Sequence, residues 1–134
     1  KVFENCYDLS TVNIVIDGNL PLRTFNFCTN LQSVTISGNN VEIIGEKAFY
    51  KCDKLYSLTL PQTVNYIHKQ AFYSCEAFNK LPIPNNIVGI SNECYSYMDR
   101  VSTTPKFDGY DVAIFPTTLT HLGTQTSPLP MSCR

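Results

Sequence analysis

The sequence predicts an α/β solenoid, a stack of coils that each carry a short parallel strand and a turn or short helical segment, and two observations predict it. Apolar side chains recur in the same order about every 23 residues. Cys6, Cys28, Cys52 and Cys75 follow the same beat, 22, 24 and 23 residues apart. A small disulfide-stapled domain uses closer and less regular spacing. The four cysteines therefore read as buried small hydrophobes, one per coil, although neighbouring coils leave a disulfide pair among them open.

Two consecutive units align nearly throughout. One runs Leu55-Tyr56-Ser57-Leu58-Thr59-Leu60-Pro61, then Val64, Ile67, Ala71-Phe72 and Cys75. The next runs Phe78-Asn79-Lys80-Leu81-Pro82-Ile83-Pro84, then Ile87, Ile90, Cys94-Tyr95 and Met98. The preceding unit, Leu31-Gln32-Ser33-Val34-Thr35-Ile36 with Val41, Ile44, Ala48-Phe49 and Cys52, holds one extra residue near Ser37-Gly38. A looser copy starts at Leu9 and closes with Phe25 and Cys28, and Val2 to Cys6 matches a closing half without its opening half, which speaks against a native N-terminus at Lys1.

Each unit has two physical parts. Its first six residues place apolar side chains at positions 1, 4 and 6 and small or polar ones at 3 and 5, the alternation of a strand with one buried face. Pro61 and Pro84 stop the strands at equivalent points, and Gly38 does so in the longer unit, where an unusual backbone angle is called for. The later segment, Ile44 to Cys52 or Ile67 to Cys75, brings apolar residues back at i, i+4, i+5 and i+8, which suits a compact turn or short helix. No unit of this size buries its apolar stripe alone. Stacking does so, with Leu58 on Val34 and Leu81, and Phe72 on Phe49 and Tyr95, as continuous internal columns. A doubly wound βαβ fold needs crossover helices of ~10 or more residues. The gaps here are too short for them.

Residues 1–123 are expected to form a solenoid of about five units with an insertion at 99–109, and 124–134 an irregular C-terminal tail or cap. After the polar insertion the pattern partly resumes as Tyr110, Ala113, Phe115-Pro116, Leu119 and Leu122-Gly123. Val112 and Ile114 compete with Ala113 for the inward face there.

Ten basic residues against eleven acidic ones give a net charge of −1, so an extended nucleic-acid interface has no electrostatic support. The longest apolar runs fall far below the ~18 residues of a transmembrane helix. Twelve asparagines include no Asn-x-Ser/Thr acceptor, which leans away from heavy glycosylation. No Cys-x-x-Cys or phosphate loop occurs, so neither a metal nor another cofactor is expected. His68 and His121, the two histidines, sit more than two units apart, too far to read as a nucleophile's base and its orienting partner.

The repeated strand, proline, Ile-Gly or Ile-His step, Ala-Phe and Cys resemble the BspA-like type of leucine-rich repeat, well over residues 1–100 and only weakly over 110–123. Leu55 to Cys75 follows that pattern with His68 in its glycine position, and Ile44 to Cys52 follows its second half in full. Phe78 to Met98 departs from it, with Cys94-Tyr95 for Ala-Phe and Met98 for Cys. The resemblance implies a right-handed leucine-rich-repeat coil with parallel strands on the concave face and turns or short helical segments on the convex side. It also implies a surface-associated or secreted protein that adheres to host matrix proteins or other cells.

A solenoid of this kind binds through its strand face. Its outward positions are Thr11 and Asn13, Ser33 and Thr35, Ser57 and Thr59, and Lys80 and Pro82, with Tyr56 and Asn79 beside them. These short hydroxyl and amide groups suit hydrogen bonding to a peptide backbone or a sugar, or they are simply the wet side of a sheet. Tyr50 and Tyr73 point outward on the opposite side, while Tyr97, Asp108 and Tyr110 border or lie in the insertion and form a second candidate surface. The expected function is a non-enzymatic protein-binding or adhesion module. An intracellular scaffold and a purely structural stretch of a longer solenoid are the competing readings.

Overall fold

A computed structural model describes residues 2–97, 106–107, 110–111 and 116–123, the last two short pairs for their backbone alone. Three strands, β1 (Thr11–Asp17), β2 (Ser33–Asn39) and β4 (Ser57–Thr59), form one parallel sheet in the order β1-β2-β4. A second parallel sheet is built from two-residue strands, β3 (Ile43–Ile44), β5 (Tyr66–Ile67), β6 (Gly89–Ile90) and β9 (His121–Leu122). Each coil thus runs along a strand wall, across a linking wall and back through a wall of turns.

The expected turn or short helix is resolved in favour of turns, and no helix occurs among the described residues. The reason is the backbone accounting. Along Lys47 to Cys52 the amides of Ala48, Tyr50 and Cys52 donate within the coil to Gly45, Lys47 and Phe49 carbonyls, at 3.1, 3.2 and 3.1 Å. The alternate amides of Lys47, Phe49 and Lys51 donate to Lys69, Ala71 and Tyr73 of the next coil, at 3.0, 2.8 and 2.9 Å. Every buried N–H in the segment is satisfied without a helix. To aim alternate amides outward, the residues two before and two after the core aromatic adopt left-handed φ: Lys47 and Lys51 at 55° and 61°, Gln70 and Ser74 at 57° and 61°. An L-residue pays a steric cost there. Inter-coil bonding recovers it only when coils stack.

The columns between the walls are those the repeat predicts. Val34 stands in register between Val12 and Leu58, and Ile44, Ile67, Ile90 and Leu122 follow one another on the linking wall. Phe3, Phe25, Phe49, Phe72 and Tyr95 form one face-to-face ring stack, with centroids 5.3, 5.3, 5.3 and 5.7 Å apart. The ladder cysteines are free thiols, and from Cys28 onward they are fully buried. Each Sγ donates to the aromatic carbonyl one coil back: Cys28 to Phe3 at 3.0 Å, Cys52 to Phe25 at 3.2 Å and Cys75 to Phe49 at 3.0 Å. A thiol therefore fills the site as a small hydrophobe and adds a weak donor that alanine lacks.

Burial, which disfavours the thiolate, raises the Cys28 thiol to about 11 and pushes Cys52 and Cys75 higher still. Unfolded thiols ionise near 8.5. Below that pH both states keep the proton and stability is fully present, whereas above it the unfolded chain alone releases protons and stability falls. We expect a urea midpoint flat from about pH 6 to 8 that drops beyond about 9, with Cys52 and Cys75 each contributing up to about 1.4 kcal/mol per pH unit. Cys52→Ala should flatten that alkaline slope by about one proton.

The fourth unit departs from expectation. Residues 78–84 form no strand and the sheet ends at β4, although Leu81 still reaches the core. Pro82 occupies the register position of Thr35 and Thr59, and its ring removes the amide. In the same coil the ring stack continues with Tyr95, whose Oη donates to the Pro82 carbonyl at 3.1 Å. The added hydroxyl satisfies an acceptor that the missing strand leaves without a sheet partner. Tyr95→Phe should cost about 1 kcal/mol in chemical denaturation, and less when Pro82→Thr restores strand chemistry in the same chain.

At the far end, Leu119 is buried and Leu122 extends the Ile90 column, 32 residues on rather than 23. Tyr110 does not extend the parallel array. β8 (Tyr110–Asp111) pairs antiparallel with β7 (Lys106–Phe107) in a separate ribbon. The competing inward residues Val112 and Ile114, most of the expected insertion and the tail at 124–134 lie outside the described residues.

Candidate functional site

The strand wall presents its outward side chains in two rows set by parallel register. Thr11, Ser33 and Ser57 form one row, and Asn13, Thr35 and Thr59 the other. Between them, Val12, Val34 and Leu58 face the core side, as strand alternation requires. Neighbouring members of a row stand about 4.8 Å apart, the spacing of paired strands. Six of the residues read from sequence thus come together as one grid of short hydroxyl and amide groups. The strands β1 and β2 continue beyond it with Val15 opposite Ser37 and Asp17 opposite Asn39, and Val15 is 80% exposed. Val15 and Asp17 lie beyond the six-residue strand segment that the repeat predicts from Leu9 to Ile14. The alternation simply runs on through Ile16.

Tyr56 stands 59% exposed just before β4. With Ser57, Leu58, Phe78, Asn79, Lys80 and Pro82 it borders a hollow of about 360 Å³. A second hollow of about 300 Å³ lies alongside, between Leu58 to Gln62 and Lys80 to Asn85. Both occupy the place where a fourth strand would have paired, so the Pro82 break that ends the sheet also shapes its border. Lys80 supplies the cationic group there.

The other candidates fall elsewhere. Tyr97 lies on the wall of turns, its ring 5.1 Å from that of Tyr73, and does not join the grid. Tyr110 belongs to the β7–β8 ribbon, and Asp108 lies outside the described residues. His68 and His121 both come to the linking wall around Tyr66, whose ring lies over Gly89. Their polar contacts are local: His68 Nδ1 accepts from the Lys69 amide at 3.2 Å, and His121 Nδ1 lies 2.8 Å from Thr120 Oγ1. Among the described residues Asp53 is the one carboxyl held above its usual range, through burial first and the neighbouring Glu76 second. Among the described residues no three His, Cys, Asp or Glu side chains gather as a metal site, and no helix is long and apolar enough to cross a membrane.

Comparison with known proteins gives the same architecture. No curated protein sequence matches the chain. The fold is shared with a leucine-rich-repeat protein of T. pallidum at a TM-score of 0.65 and 22% identity, over 83% of this chain and 51% of that one. A leucine-rich-repeat protein from Bacteroides ovatus matches at 0.61 and 20%, over 87% and 35%. A leucine-rich cell surface protein from Faecalibacterium prausnitzii matches at 0.67 and 26%, over 92% and 37%. The chain therefore spans about half or less of the length of these structures. A family model described as a BspA type leucine rich repeat region, with six copies, covers residues 19–106. Repeats of this family are typically protein-interaction modules and generally non-enzymatic. With its columns, its turn wall and this match in agreement, the chain belongs to the BspA-type leucine-rich-repeat family.

Proposed function

We propose that the chain is a non-enzymatic adhesion or protein-binding module that engages an extended polypeptide or a glycan on its strand wall. The observation that carries this reading is the two-row grid, Thr11-Ser33-Ser57 and Asn13-Thr35-Thr59. It offers hydrogen-bonding groups at a strand-to-strand repeat on a rigid sheet, with little side-chain entropy to lose on binding. Tyr56 and Lys80 supply contact area and charge at the border, and Asp108 in the insertion with Tyr110 beside it is kept as a second, separate candidate surface. The cell-surface protein of Faecalibacterium prausnitzii, similar in fold, supports placing such a module outside the cell. A scaffold role inside cells is the second reading, favoured by ladder thiols that remain free.

The test is to probe the immobilised chain against extracellular-matrix proteins, a glycan array and cell lysate, beside a variant carrying Ser33→Glu and Thr35→Glu. Both positions are half-buried on the outward side of the sheet, so the melting temperature should change little, whereas affinity for the captured ligand should fall at least tenfold. Unchanged binding by this variant would show that the strand wall is not the site. Capture of lysate proteins alone would favour the scaffold.

A further inference from the structure

The wall of turns carries an aromatic row that the binding reading leaves unused. Phe27, Tyr50, Tyr73 and Tyr97 follow one another across four coils, with ring centroids 5.6, 4.8 and 5.1 Å apart. Repetition alone does not produce this row. Tyr50 and Tyr73 come from the position just after the core aromatic, where the outer coils carry Asn26 and Ser96. In those coils the ring comes instead from the next residue, Phe27 or Tyr97, and left-handed φ values of 60° and 57° turn it into line. Packing over the turns accounts for the half-buried Tyr50 and Tyr73. It does not account for Tyr97, which is 69% exposed.

We propose that Tyr73 and Tyr97 form an oxidative cross-linking site, at which a haem peroxidase using hydrogen peroxide joins the two phenol rings as dityrosine and staples successive coils. Tyr97 meets the oxidant because it is exposed. It gives up one electron and its phenolic proton, and the resulting radical takes an electron and a proton from Tyr73 one ring away. A second oxidising equivalent removes an electron and a proton from Tyr97 again. Each radical places spin on the carbons ortho to oxygen, and one such carbon from each ring forms the new C–C bond. The hydrogens on those carbons move to the phenolic oxygens as the rings regain aromaticity. Overall two electrons and two protons leave the protein, the O–O bond of one peroxide breaks, and two waters form.

Ring geometry selects the pair. Tyr50 and Tyr73 lie 12° from parallel, face on face, so an edge-to-edge biaryl bond requires them to unstack. Tyr73 and Tyr97 are tilted by 60° instead of stacked, and their phenol groups are joined by a side-chain hydrogen bond, so their oxygen-bearing edges already meet. The link closes a loop one coil long, which restricts the unfolded chain as a disulfide would.

The experiment treats the whole chain with a haem peroxidase and hydrogen peroxide, then follows dityrosine fluorescence, intact mass and linked peptides. The expected product is a monomer two hydrogens lighter, with the link mapped to Tyr73 and Tyr97 and a melting temperature raised by roughly 5 °C. Tyr97→Phe should abolish it, while Tyr56→Phe should leave its yield unchanged. The proposal is overturned if no link forms, if links map to Tyr7 or Tyr56, if only cross-linked dimers appear, or if Tyr97→Phe reacts like the parent.

Discussion

Replacing Phe49 by alanine should destabilise the chain by roughly 3–5 kcal/mol, a loss large enough to unfold much of a domain of ordinary stability. Phe49 is fully buried at the middle of the ring stack, 5.3 Å from both Phe25 and Phe72. Its removal deletes two ring contacts, each worth about 0.5–1.5 kcal/mol beyond the area they bury, and leaves a cavity between coils. The loss also spreads, because solenoid stability is a sum of units and the interfaces between them. Urea denaturation should show a lowered midpoint, and a lowered slope if the two ends of the coil then unfold separately. Tyr50→Ala, one residue along but half-buried, should cost less than about 1.5 kcal/mol. Equal losses at the two positions would deny the stack its place in the core.

Gly38→Ala is the second large effect, and it acts through the backbone. Gly38 has φ +125°, and a Cβ there would lie 1.8 Å from the carbonyl oxygen of Ile16, its partner across β1 and β2. Strained φ alone costs about 1–3 kcal/mol for an alanine. The clash must in addition push two paired strands apart, so the total should exceed about 3 kcal/mol. Gly18→Ala provides the comparison, since Gly18 also has positive φ, +101°, but open space around its would-be Cβ. That variant should lose only the conformational part, about 1–2 kcal/mol. Thermal melts of the two variants separate strain from collision.

These two positions also show what the sequence made legible. Phe49 and the ladder cysteines repeat with the coil, so periodicity alone placed them inside and in line. Gly38 marked the extra residue of the longer unit, and the demand for an unusual backbone angle followed from that misfit. The linking wall was not legible as a sheet. Its strands are two residues long, too short for a period of two to appear, and Ile44 reads equally well as the start of a helix. Alternating left-handed φ at Lys47, Lys51, Gln70 and Ser74 was hidden because none of these residues is glycine, the usual marker. The broken fourth strand had a visible signal in Pro82, but at strand position 5 it reads only as one more outward side chain. Its missing amide, and the Tyr95 hydroxyl that answers it, became clear only in three dimensions. For the candidate site, alternation placed six outward residues correctly on one face, since the same positions of successive units pair in parallel register even where the unit lengths differ. The ring contact of Tyr97 with Tyr73 had no signal in the sequence, where Tyr97 stands next to the insertion.

Amide hydrogen exchange of the intact chain tests most directly whether each coil completes its neighbour. The amides of Phe25, Phe49 and Phe72 donate to Ala48, Ala71 and Cys94 of the following coil. Stacked coils predict that these three exchange slowly, with protection approaching that of global unfolding, and that Phe49→Ala speeds Phe25 and Phe72 together. Rapid exchange at all three, or acceleration confined to the mutated coil, would contradict the stacking on which the strand wall and its grid depend.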